Sequence, residues 1–498
     1  MINLKDLGRP SEFWEYFEQI SKIPRCSEHE EKIRKFIERE AENLGFEAQV
    51  DSAGNLVVRI PSTLAQKSRG VLQCHMDMVC DKNQSITHDF LKDPLKLKIE
   101  EIDNENWLSA EGTTLGADNG VGICYLLTIM KKINKKELIF DSLSLDLLFT
   151  VDEEQGLRGA FKIDDDFIDG TFLINLDSEE DDAATIGCAG GIVTYYYINL
   201  TNVNINEFKE KFIPVKIFVS GLIGGHSGMD IHLRRGNALK ILSEILWNLN
   251  KKYKMHICSL EGGNRTNAIP REANSVVFFE EESFFDIKSY INSLFNEMKI
   301  IFEGVELNLN ITIQRLENYE KNNVLSKKNQ NELLNILYLI PTGPLSMHPR
   351  IDNLVFTSTN FAVMTMREND IEIKVSQRSL SKYFKMVIWE KLKALFDLSD
   401  LEITFKIDSE YPGWIPNFKS TLLSRCKETY KEMFMEELEI KAIHAGLECG
   451  LLKEKFPHLE MISIGPTIVG AHSPDERVFI KSVTKIWKFL INLLNRLN

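Results

Sequence analysis

Histidine and carboxylate side chains stand where predicted strands of this sequence end, and such side chains can bind metal ions or move protons. His75 and Asp77 follow the strand GVLQCHMDMV. Because residues two apart on a strand face the same side, the Asp77 carboxylate can accept a hydrogen bond from the His75 imidazole and orient it towards a metal ion. A single His-x-Asp pair also fits a hydrogen-bonded surface pair, so it does not predict a metal site by itself.

Three more carboxylates follow buried strands. Glu153 and Glu154 come after LSLDLLFTV, and Asp177 ends the strand TFLINLD. Neighbouring side chains at a strand end point to different sides, so one glutamate can bind a metal ion while the other faces a substrate. Asp177 stands at a strand tip, where α/β sheets build their sites. Taken alone, the glutamate pair would also fit a solvated acidic loop.

Asp118 and His472 complete this set of chemically capable residues. Asp118 lies in GTTLGADNG directly before an apolar helix, and His472 lies in GPTIVGAHSPDE after a strand. Each has a structural alternative, a helix cap and turn for Asp118 and a structural histidine for His472. Mixed histidine and carboxylate ligands suit zinc, and also manganese or cobalt. Two divalent ions among two neutral imidazoles and three carboxylates leave one excess positive charge, which a bound hydroxide would neutralise. This balance favours a two-metal hydrolase over a structural site.

The elements that must position these residues alternate between strands and helices. A turn at Ala53 and Gly54 divides AQVDSAGNLVVRI into two strands, and VGICYLLTIMKKI is an apolar helix. Ser27 and Glu30 have the spacing of a capping box for a helix that ends at Gly45. The pattern predicts an α/β sheet with helices on its faces. Beyond about residue 190 the strands VTYYYINL and FIPVKIFVSG flank a helix, and a helix–strand–helix rhythm returns near residue 411.

Composition argues against several classes of protein. The net charge of −14 over 498 residues repels a phosphate backbone, and no dense stripe of lysine and arginine offsets it, so we expect no nucleic-acid partner. No run of about 18–20 apolar residues and no signal peptide occur, which predicts a cytoplasmic protein without a membrane partner. The eight cysteines form no C-x-x-C pair and are expected to be reduced, mostly buried thiols. Met229 breaks a G-x-S-x-G pattern at Ser227, so a serine hydrolase is poorly supported.

A series of strings runs in order along the chain: LQCHMDMV, GTTLGADNGVG, INLDSEE, GCAGG, GGHSG, NAIPREA, YPGW, HAGLECG and SIGPTIVGAHSPDE. These strings resemble those of the aminoacyl-histidine dipeptidases of the M20 metallopeptidase family, also called cytosolic nonspecific dipeptidases. The resemblance extends from about residue 10 to the C-terminus. It implies two divalent metal ions, with zinc expected and cobalt or manganese as alternatives.

The resemblance also implies which side chains hold these ions. Asp118 would bridge both ions, His75 and Asp177 would complete one site, and Glu154 and His472 would complete the other. The peptide bond between Asp118 and Asn119 is expected to be cis.

Three residues receive catalytic roles from the same resemblance. Glu153 matches the general base that activates a water held between the ions, and Asp77 matches the residue that orients His75. His226 in GGHSG matches the residue that polarises the scissile carbonyl, either in its own subunit or across a dimer interface.

The family's architecture implies two domains and a substrate grip. Residues 1–190 and 409–498 would form the catalytic domain, a mixed sheet flanked by helices, and residues 191–408 an inserted α+β lid domain that also makes a homodimer. Asn267 and Arg378 resemble groups that hold the C-terminal carboxylate of the substrate, and Gly446 matches a backbone contact.

The expected activity is hydrolysis of dipeptides with a free C-terminus, Xaa-His types among them. An M20-type amidase or deacylase acting on N-acyl amino acids would share the same metal centre, so the ligands do not exclude it. A non-catalytic metal-dependent binding protein is a third possibility from a different class. The presence of all ligand positions together with Glu153 argues against it.

Overall fold

The computed structural model describes residues 4–64 and 68–498. The chain divides into two compact units. The first unit contains Met1–Gly187, Pro416–Ala442 and Leu447–Asn498, and the second contains Cys188–Ile415 and Ile443–Gly446. The sequence placed the changes of domain at residues 190 and 409. The units change at residues 188 and 416, and the short segment 443–446 joins the second unit.

The N-terminal part of the first unit alternates helices and strands. The predicted turn joins two strands into a hairpin in which Val50 pairs with Leu56, and Gly54 supplies the positive φ of 97° that the turn requires. The predicted apolar helix forms α3, in which every residue from 119 to 130 is buried. The elements are α1 (Ser11–Ile20), α2 (Glu31–Asn43), β1 (Glu47–Val50), β2 (Leu56–Ile60), β3 (Ser68–His75), β4 (Leu97–Ile102), β5 (Glu105–Ala110), α3 (Ala117–Asn134), β6 (Leu143–Thr150), α4 (Arg158–Lys162), β7 (Phe172–Asn175) and β8 (Ala183–Cys188).

The second unit is built on one large sheet with the strand order β16-β11-β15-β13-β19-β20-β9-β21, to which β18 adds by pairing with β19. Strands β9 and β11 alternate buried and partly exposed residues, because one face of the sheet packs against apolar side chains of the helices. Its elements are β9 (Gly190–Asn199), β10 (Asn202–Asn204), β11 (Phe212–Ser220), β12 (Gly225–His226), α5 (Ala238–Lys252), β13 (Met255–Gly262), β14 (Ala268–Ile269), β15 (Ala273–Glu280), α6 (Phe284–Ile301), β16 (Asn310–Arg315), β17 (Asn323–Leu325), α7 (Lys327–Leu339), β18 (Gly343–Met347), β19 (Val355–Met366), β20 (Asp370–Ser379), α8 (Lys382–Asp397) and β21 (Ile403–Tyr411).

The C-terminal segment completes the sheets of the first unit. Its elements are α9 (Thr421–Phe434), β22 (Glu439–Ile443), α10 (Glu448–Lys455), β23 (Glu460–Ser463), β24 (Ile468–Val469), β25 (Arg477–Phe479) and α11 (Ile480–Leu497). The main sheet has the order β1-β2-β6-β3-β7-β23-β8-β22, and a smaller sheet has the order β24-β25-β5-β4. Helices pack on the main sheet, α3 against β3 and α9 against β23. The predicted α/β architecture, a mixed sheet flanked by helices, is confirmed.

Four parallel strands at the centre of this sheet end at the same edge. β3 pairs in parallel with both β6 and β7, and β7 pairs in parallel with β23. His75 on β3 is level with Thr150 on β6, and Gln73 on β3 is level with Asn175 on β7. The carboxyl ends of these strands therefore deliver the residues that follow them to one place, as the sequence predicted.

The capping box predicted at Ser27 is wrong. Helix α2 begins at Glu31, its N-cap residue is Glu30, and neither residue makes the reciprocal pair of hydrogen bonds. The Ser27 hydroxyl instead donates to the Asp77 carboxylate at 2.7 Å, and a Glu30 carboxylate oxygen accepts the backbone N–H of Asp152 at 2.9 Å. These side chains bond to residues far away in the sequence. The local spacing of Ser27 and Glu30 therefore predicted the wrong partners.

The prediction that all eight cysteines are thiols is wrong for one pair. Cys26 and Cys80 form a disulfide, because a bridge between residue 26 and Met78 brings the two Cα atoms to 5.7 Å. The other six cysteines are buried thiols, as predicted.

Among the helices of the described residues, none has the length and apolar character that crossing a membrane requires.

Candidate functional site

His75, at the end of β3, contacts two carboxylates with one ring nitrogen. Its Nε2 atom lies 2.9 Å from Asp118 Oδ1 and 3.3 Å from Asp177 Oδ1. The imidazole is almost fully buried, with 1% of its surface exposed, and the Asp177 carboxylate is 8% exposed. Asp177 reaches this point because β7 runs parallel to β3 and ends beside it. The first predicted group of ligands is therefore assembled.

His472 contacts the other side of the same aspartate. Its Nε2 atom lies 3.0 Å from Asp118 Oδ2 and 3.0 Å from Glu154 Oε2. The two oxygens of the Asp118 carboxylate thus each meet a different histidine. The ligand atoms of His75, Asp118 and Asp177, and those of Asp118, Glu154 and His472, lie within 4.8 Å of one another in each group. This arrangement is that of two adjacent cation sites with one shared carboxylate.

Asp118 is held by the backbone around it. The Glu476 carboxylate accepts the N–H groups of Leu115 at 2.7 Å, Gly116 at 2.8 Å and Asp118 at 3.1 Å. The peptide bond between Asp118 and Asn119 is cis, so that prediction is confirmed. The Asn119 amide donates to the Asp177 carboxylate, which connects the segment of Asp118 to the residues that follow β7. No sequence motif had indicated Glu476, although it stands four residues after His472.

Asp77 lies behind His75 as the His-x-Asp spacing predicted. Its Oδ1 atom is 3.3 Å from His75 Nδ1, so the imidazole can use Nε2 for a metal ion. Its two oxygens also accept the backbone N–H groups of Glu153 at 3.0 Å and Glu154 at 3.2 Å. The buried Arg25 guanidinium donates to the Asp77 carbonyl at 2.8 Å and to the Gly116 carbonyl, and no sequence motif had indicated this residue.

The charges of this site are those of a cation-binding site. The carboxylates of Asp118 and Glu154 accept hydrogen bonds from His472 and raise its pKa to about 11, although burial opposes the shift. Burial lowers the pKa of His75, but the carboxylates of Asp177, Asp118 and Asp77 raise it by more, so that the net pKa lies well above its ordinary value. The Glu154 Oε1 atom is buried and has no hydrogen-bond partner among the described residues. A buried carboxylate oxygen without a hydrogen-bond partner is costly unless a cation binds it, and it lies beside two histidines whose pKa values are raised. Such a group of oxygen and nitrogen atoms suits divalent metal ions.

Glu153 stands beside two of the candidate ligands. One of its carboxylate oxygens lies within 4.8 Å of ligand atoms of His75 and Glu154. Desolvation raises the pKa of Glu153 well above its ordinary value, His75 opposes the shift, and the neighbouring carboxylates of Asp177, Glu448 and Glu154 add to it. A carboxyl group whose pKa is raised in this way is a better proton acceptor than an exposed glutamate.

His226 belongs to the second unit, on the short strand β12, where it pairs with Ala268 of β14. Its Nδ1 atom accepts the backbone N–H groups of Gly228 at 3.2 Å and Met229 at 3.0 Å. These two donors require an unprotonated Nδ1, so the neutral ring carries its proton on Nε2. Burial, followed by the positive charge of Arg378, lowers the pKa of His226 to about 4, while Asp230 opposes the shift. His226 is therefore a neutral donor through Nε2 at physiological pH.

Asn267 and Arg378 line one cavity of the second unit, with a volume of about 410 Å³. Arg265 and Lys374 line the same cavity, and its lining contains no aspartate or glutamate. The Arg378 guanidinium donates to the Tyr411 hydroxyl at 2.7 Å, which fixes one side of the fork. Lys374 is paired with Glu372 at 3.0 Å, so Arg265 and Arg378 give this lining its positive charge. Tyr411 begins the string YPGW, but the sequence analysis assigned it no role.

Gly446 lies in the segment Ile443–Gly446, which the second unit holds close to these residues. The His444 Nε2 atom contacts the Ser358 hydroxyl at 2.7 Å. Gly228 permits this packing, since a Cβ atom there would lie 2.4 Å from the His444 carbonyl oxygen and 3.2 Å from Arg378 Nη1. The second unit thus gathers the residues predicted to bind substrate around the loop of His226.

Comparisons with known proteins agree with the geometry of both units. Residues 71–496 match peptidase family M20/M25/M40. The chain is 36% identical over 499 residues to the cytosol non-specific dipeptidase of Escherichia coli, with 100% of this chain and 99% of that protein covered.

Solved structures give the same result. The aminoacylhistidine dipeptidase of Vibrio alginolyticus superposes with a TM-score of 0.88 at 33% identity, with 98% of this chain and 97% of that chain covered. An aminopeptidase of Bacillus cereus shares the fold, with a TM-score of 0.59 at 12% identity and 99% of each chain covered. The chain belongs to peptidase family M20/M25/M40.

Proposed function

We propose that this chain is a dinuclear metal-dependent dipeptidase. The observation that carries the proposal is the position of Asp118, whose two carboxylate oxygens lie 2.9 Å from His75 Nε2 and 3.0 Å from His472 Nε2. A carboxylate with a histidine on each side can bridge two ions, with Asp177 completing one site and Glu154 the other. Zinc is the expected metal, and cobalt and manganese suit the same nitrogen and oxygen donors.

The first unit supplies the proton chemistry. Two bound divalent ions would lower the pKa of a water molecule and polarise the scissile carbonyl. Glu153 takes a proton from the attacking water and gives it to the leaving amine, and general catalysis of this kind contributes roughly 10²–10⁴-fold. Asp77 keeps the His75 imidazole turned with Nε2 towards Asp118 and holds the backbone of Glu153 in place.

The second unit supplies the substrate grip. His226 donates from Nε2 to the oxygen that becomes negative in the transition state, and losing one such donor costs about 10²–10³ in rate. Arg378 and Asn267 bind the C-terminal carboxylate of the substrate, with Gly446 contributing a backbone contact. The cavity that Arg378 and Asn267 line has basic side chains and no acidic ones, which supports an anionic substrate terminus.

The substrate class follows from the relatives. Two of the relatives named above are more than 30% identical to this chain, and they are a cytosol non-specific dipeptidase and an aminoacylhistidine dipeptidase. We therefore assign dipeptides, Xaa-His types among them, as substrates rather than N-acyl amino acids. The complete set of ligands and a candidate base disfavours a non-catalytic binding protein. The name of the first relative also supports a cytoplasmic location, where the Cys26–Cys80 disulfide would be subject to reduction.

A homodimer formed through the second unit is part of the proposal. The family resemblance motivates it, and large apolar side chains of this unit are exposed, with Phe285 at 81% and Leu307 at 83%. His226 could serve its own subunit or its partner in such a dimer. Light scattering of the purified protein tests the dimer, because a monomer at micromolar concentration would contradict it.

The experiment that tests the function compares Glu153→Gln with Glu154→Gln. We expect Glu153→Gln to retain both metal ions and lose turnover by at least 10²-fold, because it removes only the proton acceptor. Glu154→Gln should lose one ion as well as turnover. Substrates should include β-alanyl-histidine, other dipeptides and N-acyl amino acids. Full activity of Glu153→Gln would contradict the general-base role, and preference for N-acyl amino acids would contradict the substrate assignment.

A further inference from the structure

A row of buried polar side chains crosses the main sheet of the first unit directly behind the candidate metal ligands. Gln73, Asn175 and Ser463 occupy level positions on the adjacent strands β3, β7 and β23. Gln73 precedes His75 by two residues and Asn175 precedes Asp177 by two residues. The three side chains are at most 2% exposed. Buried polar groups in the middle of a sheet are costly unless each is paired, so their pairing identifies what they do.

The hydrogen bonds of this row run in one direction and begin at Glu448, the first residue of helix α10. Glu448 Oε2 accepts from the Gln73 amide nitrogen at 2.6 Å and from the Thr150 hydroxyl at 2.9 Å. Gln73 Oε1 accepts from the Asn175 amide nitrogen at 2.6 Å. Asn175 Oδ1 then accepts the backbone N–H of Asp177 at 3.2 Å and the Ser463 hydroxyl.

The groups at the two ends of the row determine which way the Gln73 and Asn175 amides between them are turned. A backbone N–H can only donate, so Asn175 must turn its oxygen towards Asp177 and its nitrogen towards Gln73. Gln73 must then present its oxygen to Asn175 and its nitrogen to Glu448. Oε2 of Glu448 accepts in either protonation state of the carboxyl group, since any proton can reside on Oε1, which has no hydrogen-bond partner among the described residues. Glu448 is only 1% exposed, so bulk water cannot take its place as the acceptor for Gln73.

We propose that Glu448 is a positioning residue of the metal centre, which fixes the orientation of the Gln73 and Asn175 amides and thereby holds the backbone of Asp177 in place. The inference rests on the proposed dinuclear centre, in which Asp177 is a ligand. Glu448 does not itself touch the ions or the substrate in this account. Its contribution is to keep Asp177 within reach of His75, and it acts through the two amide groups. Other residues that orient metal ligands do so by a direct hydrogen bond to the ligand.

The substitution Glu448→Gln changes the row without changing its shape. If the nitrogen of the introduced amide faces Gln73, the amides of Gln73 and Asn175 must both flip. The Asn175 amide nitrogen then faces the backbone N–H of Asp177, and neither donor has an acceptor there. If the introduced amide turns its oxygen towards Gln73, its two N–H groups are buried where Oε1 of Glu448 has no partner among the described residues. The first outcome removes the hydrogen bond that holds the Asp177 backbone, and the second buries two unpaired N–H groups at the start of the row, which favours the first or displaces α10 from Gln73. Changes to partners of metal ligands typically cost about 10–100-fold in affinity or activity.

The test measures metal binding and kinetics of the full-length protein. In Glu448→Gln we expect one of the two Co²⁺ ions to bind about 10–100-fold more weakly, with a changed absorption spectrum and a lower kcat at nearly constant KM. The matched control is Glu460→Gln in the same unit. Glu460 accepts from Ser420 Oγ at 3.0 Å and from Leu422 N at 2.7 Å at the start of α9, so its loss lowers stability alone. Equal metal binding by Glu448→Gln and the wild type, or equal weakening in Glu460→Gln, would overturn the inference.

A double variant separates amide orientation from a general effect on folding. When Gln73→Glu is combined with Glu448→Gln, the donor and acceptor change places, and the carboxylate introduced on β3 still accepts from Asn175. We expect this variant to recover wild-type Co²⁺ affinity and spectrum, even if Glu448→Gln alone fails to fold. A double variant that misfolds or that binds Co²⁺ as weakly as Glu448→Gln would overturn the inference. Failure of the wild type to bind two ions would instead contradict the proposed function.

Discussion

The Asp77 carboxylate accepts the backbone N–H of Glu153 at 3.0 Å, so the residue that orients His75 also holds the loop of the candidate general base. The other oxygen accepts the N–H of Glu154 at 3.2 Å and the Ser27 hydroxyl at 2.7 Å. Burial raises the pKa of Asp77, but the hydrogen bond and charge of His75, followed by the donors Ser27 and Glu153 N–H, hold it down to about 2. One side chain thus connects His75, a proposed metal ligand, to the loop that carries Glu153, the proposed proton acceptor.

Asp77→Asn tests this coupling. An asparagine keeps the shape but turns an N–H group towards a backbone donor or towards His75, so it cannot satisfy the same partners. We expect metal affinity and kcat each to fall by about 10–100-fold, measured by metal titration and steady-state kinetics. Asp164→Asn, which alters an exposed carboxylate that accepts from Ser52, serves as the control. Unchanged metal affinity in Asp77→Asn would rule out the orienting role.

Ser27→Ala removes one donor from the same carboxylate. A buried hydrogen bond to a charged group contributes roughly 1.5–3 kcal/mol, so the free energy of unfolding should fall by that amount. Chemical denaturation measures it, with Ser52→Ala as a matched control because the Ser52 bond to Asp164 is exposed. A Ser27 variant as stable as the Ser52 variant would show that the bond to Asp77 contributes nothing.

Strand periodicity predicted where the candidate ligands lie but not which residues hold them in place. His75 and Asp177 follow apolar strands directly, and the parallel register brings those strand ends together. Ser27 was assigned to a helix cap because only its neighbours were visible, whereas its partner lies 50 residues away. Glu448 and Gln73 are separated by 375 residues, so no local pattern relates them. Partners chosen by tertiary packing leave no periodic signal in the sequence.

The low pKa of His226 predicts a dependence of stability on pH. In the unfolded chain a histidine titrates near 6.5, whereas burial and Arg378 lower the pKa of folded His226 to about 4. As the pH falls from about 6.5 to about 4, His226 becomes protonated in the unfolded chain but stays neutral in the folded chain. The free energy of unfolding therefore decreases over this range. His226→Gln lacks this penalty and should be relatively more stable than the wild type at pH 5 than at pH 7, measured by chemical denaturation. The same difference at both pH values would contradict a lowered pKa.

Tyr411→Phe should weaken the proposed carboxylate grip without affecting the chemical step. The variant removes the hydroxyl that accepts from Arg378 Nη1 at 2.7 Å, so the guanidinium loses one side of its support. We expect KM for dipeptides to rise about tenfold, which corresponds to ~1.4 kcal/mol, at constant kcat. Tyr383→Phe, at a position 71% exposed, is the control. A fall in kcat at constant KM would contradict a role in substrate binding.

The central claim is that Asp118 bridges two divalent ions, and anomalous X-ray diffraction from crystals grown with zinc tests it most directly. We expect two strong anomalous peaks about 3.5–4 Å apart, one on each side of the Asp118 carboxylate. The first should contact His75 and Asp177, and the second Glu154 and His472. A single peak, or two peaks that leave Asp118 without a metal contact, would contradict the account.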